Sequence, residues 1–168
     1  LKYVNVVIGN EEDADNVLGI KANDTEVDAG NISHDSYPSV AKQICKKFDN
    51  IELVAITLRE SISANENNWG AMLYEKATET VCFSPLQGSE YSSYAINNIV
   101  DRVGGGDSFA AGLIYSICED SSKDLQYQLD FAVAASCLAH SIKGDFNYTK
   151  KNEVIDLMKG NQSGRVQR

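Results

Sequence analysis

Apolar and polar positions along this chain fall into blocks that predict strands and helices in turn. Tyr3 to Ile8 is apolar and β-branched and runs into Gly9, the pattern of a short buried strand. Asn10 follows and is placed to cap a short acidic helix, EEDADNVLG, whose carboxylates suit a helix N-terminus. Residues 21 to 36 are polar and read as a loop. Val40, Ile44, Cys45 and Phe48 share one side of a helix predicted from about Pro38 to Phe48. Ile51 to Leu58 (IELVAITL) predicts a second buried strand, with Thr57 and Arg59 at its end, and RESISANENN reads as a turn-rich excursion. Trp69 to Tyr74 and Thr78 to Phe83 predict two strands joined near Glu75 and Lys76, and Tyr94 to Val100 predicts another.

Three helices close the pattern. One is predicted from about Gly106 to Glu119. A longer one runs from about Lys123 to Ile142, with Leu125, Leu129, Val133, Ser136 and Leu138 on its inner face. The last runs from about Lys150 to Lys159, before the polar tail NQSGRVQR. Strands alternating with helices predict an α/β layered sheet.

Composition narrows the partners. The chain has 168 residues, about one domain's worth, with 43% apolar and 23% charged residues. A net charge of −9 argues against a nucleic-acid backbone or an anionic membrane, both of which need a basic face. A nucleotide stays open, because backbone amides and a metal ion can meet its few phosphates. Cys45, Cys82, Cys118 and Cys137 are scattered, and with only His34 and His140 beside them no zinc spacing can be built. They read as reduced, mostly buried thiols of a cytoplasmic protein. No apolar run approaches the ~20 residues of a membrane span, and no secretory signal opens the chain. LKYVNVVIGN lacks an initiating Met and starts directly as a strand, as after processing or within a fold.

The chemistry concentrates in VDRVGGGDSFAAG, which starts at Val100 between a predicted strand and a predicted helix. Gly104, Gly105 and Gly106 carry no Cβ, so their amides can approach an anion closely. The helix that begins there adds free N–H groups and its positive dipole end. Asp107, in the first turn, is placed to take the proton from an attacking hydroxyl while the amides stabilise a phosphoryl group in transfer. The competing reading makes Asp107 a plain helix cap after a flexible loop. The stretch is not a P-loop, since no Gly-Lys-Ser/Thr follows, and it is not the dinucleotide fingerprint either.

Asp101-Arg102-Val103-Gly104-Gly105-Gly106-Asp107-Ser108-Phe109 resembles the second signature, Asp-Thr-x-Gly-Ala-Gly-Asp-x-Phe, of the ribokinase-like sugar kinases, the phosphofructokinase-B family. Arg102 replaces Thr and Gly105 replaces Ala. Asn10-Glu11-Glu12-Asp13 is similar to that family's Asn-x-x-Glu motif, with Asp13 where Glu is usual. TLRES, HSIKGDFN and GRVQR look most like the 2-keto-3-deoxygluconate kinases, with Lys143 where another residue, often Pro, is expected. The resemblance covers nearly the whole chain.

That resemblance implies an α/β/α three-layer sandwich, of which residues 1–168 would form the carboxy-terminal, ATP-binding and catalytic part. The half that carries the β lid and most sugar contacts would be absent, leaving this part inactive alone. It implies ATP and Mg2+ as cofactors, with Asn10 and Asp13 near the metal. The substrate would be a sugar or sugar acid, with 2-keto-3-deoxygluconate first and fructose or ribose as alternatives. A monovalent cation such as K+ near Asp101, and a homodimer of the full-length protein, follow from the same source. A non-catalytic nucleotide-binding domain is the alternative from another class.

Further positions each carry two readings. Thr57 and Arg59 lie at a predicted carboxyl strand end, where open α/β sheets bind ligands; Arg59 contacts a phosphate or acidic substrate, or is simply solvated. Asp101 binds the cation or orients the loop by accepting its amides. Ser136, with Ala132, lines an adenine slot or packs in the core. Gly112, inside a helix at a cost of ~1 kcal/mol against alanine, is explained by close packing near Ala135. Trp69 reads as an edge-strand or turn aromatic and His140 as a structural helix residue, while Tyr91 and Tyr94 cover the sheet.

Overall fold

The computed structural model of the protein describes residues 1–20, 36–119 and 124–160. The polar loop expected over 21 to 36, His34 and the carboxy-terminal tail lie almost wholly outside them. Two compact units emerge, one formed by Leu1–Leu58 with Ala71–Cys82, the other by Arg59–Gly70 with Phe83–Arg168.

The first unit begins with β1 (Val6–Gly9), α1 (Glu11–Leu18) and α2 (Ser36–Lys47). Strand β1 starts three residues later than the apolar run suggests. The Asn50 side-chain amide donates to the carbonyls of Leu1 and Val4, holding residues 1–4 as a turn, and Tyr3 is 86% exposed. Strand β1 pairs in parallel with β2 (Leu53–Ser63), from Val6 opposite Leu53 to Gly9 opposite Ile56. Parallel pairing needs a crossover, and α1 and α2 lie within it. Val40, Ala41, Ile44 and Cys45 of α2 are buried, as are Val54, Ala55 and Ile56 of β2. Strands β3 (Glu66–Glu75) and β4 (Thr80–Ser84) complete the sheet order β1-β2-β3-β4.

The predicted excursion RESISANENN is instead mostly a β-hairpin, since β2 continues to Ser63 and β3 begins at Glu66. Its polar residues masked the strand pattern, and Arg59–Ser63 are all exposed. Other segments hold it in place. The Asn68 amide donates to Glu60 at 2.6 Å, and the Arg102 guanidinium donates to the carbonyls of Ser63 and Ala64 at 2.6 and 2.9 Å.

In the second unit, β7 (Tyr94–Asn97) runs antiparallel to residues 66–69 of β3. It is shorter than the predicted strand to Val100. Strands β5 (Leu86–Gln87) and β6 (Glu90–Tyr91) form a small separate ribbon that the sequence pattern missed. Helices α3 (Gly105–Glu119) and α4 (Leu125–Ala139) lie side by side, and α5 (Lys151–Met158) packs on α4 through Val154 and Leu157. Helix α4 has no single inner face, because Phe131 through Ser136 are all buried. Its alanines admit α3 at Gly112, where an added Cβ would meet Ala132 Cα at 3.0 Å and Ala135 Cβ at 3.2 Å. Trp69 lies within β3 and is 5% exposed, so it is a core aromatic and not an edge one.

Candidate active site

The glycine stretch sits where the pattern placed it, at the mouth of α3. Gly104 has φ +79°, a left-handed conformation that favours glycine. Its carbonyl accepts the Ser108 N–H at 2.8 Å and so opens the helix. The N–H groups of Gly105, Gly106 and Asp107 precede that first helical bond, and belong to the free donors of a helix N-terminus. Gly106 and Asp107 are exposed, and nothing lies within 4 Å of where a Gly106 Cβ would be.

Two side chains tie this turn to its neighbours. Asp101 accepts the Val103 N–H at 3.1 Å and the Gly144 N–H at 3.0 Å, one on each carboxylate oxygen. Those bonds hold its carboxyl below the usual carboxylate range, with Val103 the largest cause. Asp101 thus does what the loop-orienting reading requires. Arg102, which departs from the family signature, anchors the β2–β3 turn.

Asp107 opens onto a cleft of about 590 Å³ walled by α3, α4, α5 and residues 145–149. Gly112 and Ala135 keep one wall low, Phe131 and Val154 make it apolar, and Phe146, 71% exposed, stands at the rim beside Tyr148. Asn147 shapes the loop by donating to the Ala135 carbonyl at 3.0 Å and accepting the Thr149 N–H at 2.9 Å. Lys151, also lining the cleft, pairs with Glu119, which accepts the Tyr115 hydroxyl at 2.7 Å. Apart from Asp107, Gly112 and Ala135, none of these lining residues stands out in the sequence. The stretch HSIKGDFN carries the sequence signal for Phe146 and Asn147.

Other predicted positions fare unevenly. Ser136 does not line a ligand slot, because it is wholly buried and its Oγ donates to the Gly105 carbonyl at 2.7 Å. Arg59 is exposed within β2, not at a carboxyl strand end, since the strand runs four residues further. Thr57 is likewise mid-strand; its Oγ1 donates to the Gly9 carbonyl at 3.5 Å, in the first unit. Asn10, at the carboxyl end of β1, forms a capping box with Asp13: Asn10 Oδ1 accepts the Asp13 N–H, and Asp13 Oδ2 accepts the Asn10 N–H, both at 2.9 Å. Among the described residues, no three His, Cys, Asp or Glu side chains converge on a metal position.

Residues 72–151 match the pfkB family of carbohydrate kinases. The structure is similar to ribokinase of Thermotoga maritima, with a TM-score of 0.60 over 94% of this chain and 43% of that one at 15% identity. The chain is thus similar to the ribokinase-like carbohydrate kinases of the pfkB family, and its structure is a partial α/β fold of that type. Within the class it is similar to 2-dehydro-3-deoxygluconokinase of Thermotoga maritima, at 41% identity and a TM-score of 0.79 over 95% of this chain. A pfkB family carbohydrate kinase of Listeria grayi follows at 28% identity and a TM-score of 0.73, over 93% of this chain and 41% of that one. The chain spans 43% of the length of the 2-dehydro-3-deoxygluconokinase. No curated protein sequence matches it.

Proposed function

We propose that this chain forms the nucleotide-binding and catalytic part of an ATP-dependent carbohydrate kinase. The observation that carries the reading is an exposed carboxylate, Asp107, set beside the free amides of a helix mouth and opening onto an apolar-walled cleft. The cleft takes the flat base of ATP against Phe131, Ala135 and Val154. The amides of Gly105, Gly106 and Asp107 receive the phosphoryl oxygens as their charge rises in transfer. Asp107 accepts the proton of the attacking hydroxyl, which then bonds to phosphorus as the γ-phosphoryl leaves ADP.

Mg2+ fits this donor set in one way. Mg2+ keeps several waters and uses one or two carboxylates with substrate phosphates, and Asp13 is exposed with one oxygen outside its capping bond. Asp13 and Asn10 are therefore the residues that would hold it, and the ion would neutralise phosphate charge. K+ would sit by Asp101, whose carboxylate keeps its charge and has lone pairs beyond its two backbone bonds. The substrate we favour is 2-keto-3-deoxygluconate, phosphorylated at its 6-hydroxyl, on the strength of the 41% identity to 2-dehydro-3-deoxygluconokinase. A cytoplasmic location and a full-length homodimer complete the proposal. No helix among the described residues is long and apolar enough to cross a membrane.

Calorimetry of the chain with Mg-ATP tests the nucleotide site, with heat of binding expected and none contradicting it. A panel of sugar acids and neutral sugars given to the full-length protein tests the substrate. Preference for fructose or ribose would replace the sugar acid.

A further inference from the structure

Beneath the glycine turn, the buried polar side chains of Ser136 in α4 and of His140, the C-cap of that helix, meet the backbone of Gly105. Ser136 Oγ donates to the Gly105 carbonyl at 2.7 Å. One helical turn on, His140 is 3% exposed, and its ring lies so near Gly105 that an added Cβ would stand 3.0 Å from Cε1 and 3.3 Å from Nε2. His140 Nδ1 is 2.8 Å from the Ser136 carbonyl, which can only accept, so Nδ1 carries the hydrogen. The His140 carbonyl accepts the N–H of Val100 at 2.9 Å, just before the turn. On its other side the His140 ring meets Trp69, the chain's single tryptophan, with centroids 5.0 Å apart.

These contacts share one target. Glycines give the turn freedom, yet an anion site works only if its donors are aimed in advance. A trans peptide is planar, and its C=O and N–H point in opposite directions. Anchoring the Gly105 carbonyl to Ser136 therefore aims the Gly106 N–H away from α4, toward the open side of the turn. The His140 ring supports the same peptide from below and limits how far it can sink. A plain packing role would need bulk at these positions, but not a hydroxyl bonded to that particular carbonyl.

We propose that Ser136 and His140 are positioning residues that fix the Gly105 peptide, and that Trp69, through His140, senses whether the turn above is occupied. The proposal rests on the nucleotide reading for its second half only.

The test uses the chain with Ser136→Ala and His140→Phe, the latter keeping a ring between Trp69 and Gly105. Three quantities are measured: exchange of the Ser108 amide hydrogen, which reads the Gly104–Ser108 bond; Mg-ATP affinity by calorimetry; and Trp69 emission on adding Mg-ATP. Loss of one hydrogen bond predicts about tenfold faster Ser108 exchange and about tenfold weaker Mg-ATP binding in Ser136→Ala. Exchange in α2 stays near wild type and the melting temperature falls by only about 2–5 °C, which separates aiming of the turn from general loss of structure. Trp69 emission should follow Mg-ATP binding in the wild type and lose that response in His140→Phe. Should His140→Phe not fold, Ser136→Ala and wild-type Trp69 emission carry the test. Unchanged Ser108 exchange in Ser136→Ala overturns the positioning role, whatever the affinity. A silent Trp69 with Mg-ATP bound overturns the sensing role. If the wild type binds no Mg-ATP, the nucleotide reading and the sensing role fail together, and Ser108 exchange alone still decides the positioning role.

Discussion

Replacing Gly104 and Gly106 separately by alanine should have opposite consequences, although the two residues are neighbours in one turn. At Gly104 the backbone has φ +79°, and a Cβ would fall 2.6 Å from the Asp145 carbonyl oxygen and 2.9 Å from Asp145 Cα. A left-handed non-glycine residue costs about 1–2 kcal/mol, and relieving a clash against backbone costs about 1–3 kcal/mol more. Gly104→Ala should therefore lose roughly 2–5 kcal/mol, a fall of about 5–15 °C in melting temperature for a chain of this size. The displaced segment carries Asp145 and Phe146, which line the cleft, so nucleotide affinity should fall with stability. At Gly106 a Cβ meets nothing within 4 Å, and the residue is already helical. Gly106→Ala should leave the melting temperature unchanged or raise it slightly, since alanine favours a helix. Its cost should appear in turnover of the full-length enzyme, because the methyl group stands where the phosphoryl group must approach. The assay pairs thermal unfolding by circular dichroism with initial rates of phosphate transfer. A Gly104→Ala variant as stable as wild type, or a Gly106→Ala variant with full turnover, would refute the geometry on which the proposal rests.

Other perturbations probe separate parts of the site. Asp107→Asn in the full-length enzyme should keep Mg-ATP affinity within a fewfold while kcat drops by about 10²–10⁴; a kcat near normal removes Asp107 from the base role. Burial, the largest cause, holds the His140 imidazole below its ordinary 6.5, with Arg102 and Arg59 adding in the same direction and the Ser136 carbonyl opposing them. The neutral ring is therefore favoured by folding, so stability is full above pH 6.5 and falls as pH drops below it. Urea unfolding between pH 7.5 and pH 5 should show that slope in wild type and a shallower one in His140→Phe; equal slopes would exclude it. Gly112→Val should lose about 1–3 kcal/mol by pushing α3 from Ala132 and Ala135, visible as a lower urea midpoint, and an unchanged midpoint would show those helices to be loosely packed.

Local chemistry was the most legible part of the sequence. The capping box at Asn10 and Asp13, the start of α3 and the α3–α4 approach at Gly112 each follow from a residue type that backbone geometry demands. The hairpin at Arg59–Asn68 was not legible, because its strands are polar and are held by Arg102 and Ile99 from distant positions. Ser136 keeps two readings in the sequence for a related reason. A serine among alanines suits a slot wall as well as a core, and only the position of the Gly105 carbonyl decides between them. His140 and Trp69 lie 71 residues apart, so no local pattern could bring them to one another or to the glycine turn.

The central claim is that the amides at the mouth of α3 receive the phosphates of ATP. Titrating Mg-ATP into the ¹⁵N-labelled chain and following the backbone signals of Gly105, Gly106 and Asp107 addresses it most directly. The predicted result is a saturable shift of these three signals, matched in midpoint by residues 146 and 147 at the cleft. Binding that moves signals elsewhere and leaves these three unmoved would contradict it.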